Sequence, residues 1–132
     1  MGKLLQKIVD FTKTAVTVTS TTEIAAITSD PIPIPNPTMR VKVLAWCKIT
    51  MGSTQTGLIF QLYRGATISG TAVGDATVIT TVGGNTVYAI VSFVEEVSGL
   101  DTVQYTASVK QSGGVTNGSV VASGIEVEAI TG

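Results

Sequence analysis

Five carboxylates stand where two could share acid and base work: Glu95, Glu96 and Asp101 around one predicted turn, and Glu126 with Glu128 near the end of the chain. Two carboxyl groups flanking a sugar are enough for glycoside hydrolysis, one giving a proton while the other acts as base or nucleophile. Other routes are closed. With no histidine in the chain there is no Ser-His-Asp triad, no Cys-His pair and no histidine-built metal site. Cys47, the single cysteine, lies in an apolar run, where it reads as a small buried hydrophobe and not as a nucleophile. Gly65, Gly70 and Gly74 lack the Lys-Ser/Thr ending of a phosphate-binding loop and read as a turn-rich connection over 64–75. Asp75 and Asp101 sit in predicted loops without calcium-ligand spacing. The ordinary reading of Glu126 and Glu128, which alternate with Ile125 and Val127, is the solvated face of a strand, and Glu95-Glu96 reads as a charge guarding a strand end. The expectation is a chain with no catalytic residues, no metal and no cofactor.

The elements that must position these residues are strands. From Thr14 onward the chain is rich in threonine, valine, isoleucine, glycine and serine, which suit a pleated, half-buried surface. Strands are predicted over 14–19, 23–28, 39–50, 57–64, 77–82, 86–97, 102–111 and 119–130, separated by glycine-rich turns such as Gly83, Gly84, Asn85 and Gly113, Gly114. That pattern predicts an all-β fold, an antiparallel sandwich or barrel of about eight strands. Residues 1–13 read as an N-terminal arm or short helix and 14–132 as one domain. Leu4, Leu5, Ile8, Val9 and Phe11 recur at spacings of one, three and four, which fits a helix, although a terminal strand capping its own barrel fits as well. Asp30 to Pro37 carries proline at every second position, fitting either an edge strand stripped of donors on one side or a stiff connection between sheets.

Composition bears on partners. The 132 residues are 44% hydrophobic and only 13% charged, about half the usual charge, with net charge −1. Scattered lysines and arginines make nucleic acid an unexpected partner. No run approaches the roughly 20 apolar residues of a membrane helix, and Lys7 and Asp10 interrupt any leader-like stretch, so the expectation is a soluble chain that is not secreted by that route. The residues 43–49 and 86–94 are apolar on both strand faces: Val43, Ala45, Cys47 and Ile49 back onto Leu44 and Trp46, and Val87, Ala89, Val91 and Phe93 back onto Tyr88, Ile90 and Val94. Two apolar faces call for a second covering layer, either a segment of this chain or another subunit.

From Met39 onward a long apolar strand leads to Leu58, Ile59, Phe60, Gln61, Leu62, Tyr63, Arg64 and Gly65, then a Thr/Gly connection, then Val91 to Glu96, and Tyr105 to Val109 before Gly113-Gly114. This order resembles the small jelly-roll structural proteins of tailed phages, including head decoration (cement) proteins, and more loosely the trimeric TNF/C1q-type jelly roll. The resemblance implies a jelly-roll fold and a non-enzymatic virion protein, made in the host cytoplasm, that binds the major capsid protein lattice from outside as a homotrimer. On that reading Leu4, Leu5, Ile8, Val9, Phe11, Leu44, Trp46, Tyr88 and Ile90 are the candidate lattice or intersubunit contacts. The alternative is a carbohydrate- or receptor-binding jelly-roll module of a phage tail or fibre.

Overall fold

A computed structural model describes residues 4–12, 16–18, 22–34, 38–50, 56–81, 86–98, 102–111 and 118–131. These residues form strands β1 (Leu4–Thr12), β2 (Val16–Val18), β3 (Ile24–Thr28), β4 (Ile32–Pro33), β5 (Thr38–Thr50), β6 (Thr56–Arg64), β7 (Thr71–Thr81), β8 (Thr86–Ser98), β9 (Thr102–Val103), β10 (Tyr105–Gln111) and β11 (Gly118–Thr131). One sheet runs β1-β11-β5-β8, with β2 also pairing β11; the other runs β3-β10-β6-β7. All pairs are antiparallel. Taking β1 and β2 as one interrupted strand along β11, and setting aside the two-residue β4 and β9, the first sheet holds strands one, eight, three and six of eight, and the second holds two, seven, four and five. That interleaving is the jelly-roll wrap of a double-sheet sandwich.

The alternation predicted for the long strands is what builds the core. Met39, Val41, Val43, Ala45, Cys47 and Ile49 of β5 are fully buried, and Leu58, Phe60 and Leu62 of β6 with Tyr105, Ala107 and Val109 of β10 close the layer from the opposite sheet. Burial at this density supplies the main driving force of folding.

The structure selects between the alternatives at two segments and alters the expectation at a third. There is no helix among the described residues, and Leu4–Thr12 is a strand whose register with β11 runs from Leu4↔Ile130 to Thr12↔Ser123. Spacings of one, three and four are compatible with either period, and a twelve-residue helix is marginal in water while the long β11 offers a ready ladder. The stretch 64–75 is only partly a turn: Gly65 to Gly70 forms the loop and β7 starts at Thr71. The proline segment connects the two sheets, burying Ile32 and Ile34 and leaving Pro31 and Pro33 exposed, with Ile32↔Val103 as its one short pairing to β9.

Within β7, Gly74, Asp75 and Ala76 stand opposite the single residue Gln61, since Phe60 pairs Thr77 and Leu62 pairs Val73. Gly74 takes φ +68°, and the Gln61 amide donates to the carbonyls of Val73 (3.1 Å) and Gly74 (3.4 Å) at this bulge. A Cβ on Gly74 would lie 2.9 Å from Cδ2 of Phe93. Gly74→Ala is therefore expected to lower stability by about 2 kcal/mol, from left-handed strain plus displacement of Phe93, seen as a lower urea midpoint with unchanged slope.

Candidate functional site

Most of the large apolar side chains that meet solvent among the described residues lie on the outer face of the β1-β11-β5-β8 sheet; Val78 of β7 is on the other sheet. Register aligns the positions of this outer face into rows: Val9, Glu126, Leu44 and Ser92 in one, and Gly124, Trp46 and Ile90 in the next, where the backbone of Phe11 pairs Gly124. Val9 is 64% exposed, Tyr88 63%, Ile90 58% and Val94 53%, while Leu44 and Trp46 are half-buried. Trp46 owes its position to Gly124. A Cβ there would lie 2.3 Å from the indole Nε1 and 2.5 Å from Cε2, so the ring lies in space that only glycine leaves open. The Lys48 ammonium stands 6.0 Å from the centre of the Tyr88 ring, at the outer limit of a cation–π contact.

Charges border this stripe. Lys7 Nζ lies 2.7 Å from Glu126 and 3.5 Å from Glu128, and a cavity of about 150 Å³ beside them is lined by Lys42, Leu44, Glu126 and Glu128. The hydrogen bond to Glu126 pushes the Lys7 ammonium above its ordinary range, and the same bond, then that with Glu128, holds the Glu126 carboxyl below its own. A depressed carboxyl contributes stability above the unfolded carboxylate range and loses it as pH falls through the folded value. Because both groups are exposed, the contribution is that of a screened surface pair.

The carboxylates singled out in the sequence do not converge on an acid/base site. Glu95 points into the sandwich and Glu96 out to solvent, on opposite faces of β8; Asp101 lies outside the described residues. Glu95 accepts hydrogen bonds from Arg64 and from the Tyr105 hydroxyl, the latter at 2.7 Å, an arrangement that engages both its oxygens. Burial, with Glu95 beside it, pushes the Tyr105 phenol far above its usual range. A second carboxylate, not singled out by its sequence neighbours, is similarly occupied: Glu23 accepts from Tyr63 (2.7 and 2.8 Å) and Ser108 (2.6 Å) on the outer face of the other sheet. Burial first, then Glu23, raises the Tyr63 phenol. Among the described residues no three His, Cys, Asp or Glu side chains gather as metal ligands.

Of the contact candidates, Val9, Leu44, Trp46, Tyr88 and Ile90 share this face, and Val94 extends it. Leu4, Leu5, Ile8 and Phe11 have their backbones in β1, but their side chains lie outside the described ones. No segment among the described residues lies over the stripe, since β1 joins the sheet edge-on.

No protein-family model and no curated protein matches this chain. Solved structures similar to it include one of Bacillus endospore appendages, a family of disulfide-linked pili, at 17% identity and TM-score 0.42 over 92% of this chain and 88% of that one. Infectious bursal disease virus, Gx strain, gives 12% identity and TM-score 0.44 over 95% of this chain, which spans 37% of the viral chain. The CBM22-1 xylan-binding domain of Paenibacillus barcinonensis Xyn10C gives 11% identity and TM-score 0.43 over 99% of this chain and 86% of that one. The jelly-roll assignment rests on the strand order of the chain itself.

Proposed function

We propose that this chain is a non-enzymatic structural protein of a virion, a decoration protein that docks on the outside of the capsid lattice as a homotrimer. The observation that carries the reading is the uncovered apolar stripe of Leu44, Trp46, Ile90, Tyr88 and Val94, with Val9 beyond Glu126, on a four-stranded platform. A contiguous exposed apolar patch rimmed by charge marks an interaction surface, and Lys7, Lys42, Glu126 and Glu128 form such a rim. Area removed from water there contributes about 25 cal/mol per Å², from which the entropy of association is subtracted. Light scattering at micromolar concentration is expected to give three times the 13.6 kDa of the chain or a multiple of that mass; a stable monomer overturns the homotrimer. The aromatic pair Trp46 and Tyr88 on one face also suits a sugar-binding module. The emission of Trp46, the single tryptophan, separates the two readings, because a shift with soluble glycans favours the module.

A further inference from the structure

Each open sheet ends in two strands whose outward backbone N–H and C=O groups have no ladder partner, and sequences blunt such edges with bulges, charges or brevity. Three of the four edges here are blunted. β1 is irregular between Leu4 and Gln6 and carries Lys7. β3 has five residues and holds Ala26 as an extra residue, since Ala107 pairs Ile27 and Ser108 pairs Ala25. β7 has the bulge at Gly74. The fourth, β8, is long and has no bulge, and its only charges, Glu95 and Glu96, fall in its last four residues. Its 13 residues pair with β5 from Thr86↔Thr50 to Ser98↔Thr38 without a register shift, and it contains no proline, lysine or arginine. Among the described residues no strand pairs its other side.

We propose that this edge of β8 pairs with β8 of a second copy of the chain, antiparallel, about a two-fold axis at Ser92. An unpaired backbone row calls for a strand, and the side chains select a second copy. An axis at Ser92 sets Ile90 opposite Val94 of the second copy, twice by symmetry, which covers two of the most exposed aliphatic side chains. It also sets Tyr88 opposite Glu96, where the phenol can donate to the carboxylate, and inward-facing Glu95 opposite Ala89. No two carboxylates meet. Moving the axis to Phe93 would instead oppose Ile90 to Glu96, so the pattern of apolar and charged residues picks one register. The contact is isologous and continues the sheet from one molecule into the next. It goes beyond the trimer, because a two-fold contact cannot close a three-fold ring; it joins one assembly to its neighbour.

Ser92→Cys places a thiol on the axis, where the two Cβ atoms of a cross-strand pair lie within reach of a disulfide. Cys47 does not compete, being fully buried with its thiol pushed up to about 12 by burial. Under mild oxidation S92C is expected to run as a covalent dimer on a non-reducing gel, whereas S98C, whose register partner is Thr86, stays monomeric. Adding Ile90→Lys to S92C is expected to reduce the dimer about tenfold, and Val94→Glu added to that pair restores it by facing lysine with glutamate. S92C remaining monomeric, S98C crosslinking equally, or no rescue by V94E overturns the proposal, including in favour of an edge strand given by a different protein. The wild-type molar mass separates this outcome from the reading above: an assembled protein without S92C dimers removes the edge contact alone, and a wild-type monomer removes the trimer.

Discussion

Replacing Glu95 by alanine is expected to cost about 3 kcal/mol of folding stability, the low end for one partner removed from a buried pair. The side chain is 11% exposed and projects from β8 into the sandwich, where Arg64 of β6 and the buried Tyr105 of β10 both donate to it. Truncation leaves a guanidinium and a phenol facing the end of an apolar core without an acceptor. Arg64 is 32% exposed and can turn partly to water, which keeps the loss near the lower bound. Glu95→Gln retains an acceptor for Tyr105 but not the countercharge, and is expected to lose about half as much. Urea denaturation followed by circular dichroism measures both. A loss below about 1 kcal/mol for E95A would mean that the cluster ties the sheets together no better than an apolar side chain would.

The second large effect is on the proposed homotrimer. Trp46→Ala is expected to weaken self-association by about a hundredfold, close to 3 kcal/mol, because a large aromatic at the centre of a patch is where binding energy concentrates. Trp46 sits mid-row between Gly124 and Ile90, with Leu44 two residues along the same strand face. The indole edge at Nε1, Cε2 and Cζ2 lies over Gly124, so W46A also loses some stability, and the comparison that isolates the surface effect is Gly124→Ala. That substitution keeps the tryptophan and displaces it from its niche. Both variants are expected to dissociate at concentrations where the wild type remains assembled, as read by sedimentation velocity. If W46A assembles like the wild type, the stripe is not the contact surface.

The long strands were legible because their period is two. Val41, Val43, Ala45 and Cys47 alternate with Lys42, Leu44, Trp46 and Lys48, and the buried set is the one expected. The same alternation marked Trp46, Tyr88 and Ile90 as a second apolar face, but whether the first residues of the chain would lie across it was open. β1 settles beside β11 in the plane of the sheet, a choice made by hydrogen-bond partners a whole domain away in sequence. The roles of Glu95 and Glu23 were illegible for a related reason. Adjacent Glu95 and Glu96 look alike in sequence, yet their difference is made by Arg64 and Tyr105; likewise Glu23 is defined by Tyr63 and Ser108. Gly74 resembles Gly65 and Gly70 as a turn residue, and only its place opposite Gln61 inside a paired strand makes it a bulge.

The pairing of β1 with β11 sets an order of events in the cell. β1 leaves the ribosome well before β11 and can join its sheet only once β11 has been made, since among the described residues its ladder is with β11. Nearly all contacts in the molecule span large sequence distances, which makes for slow folding after synthesis. During that wait the regular edge of β8 and the apolar stripe are exposed together, without the rest of the sandwich to hold them in register. Expression at low temperature, or with a chaperone that shields strand edges, should therefore raise the soluble yield far more than any increase in final stability would.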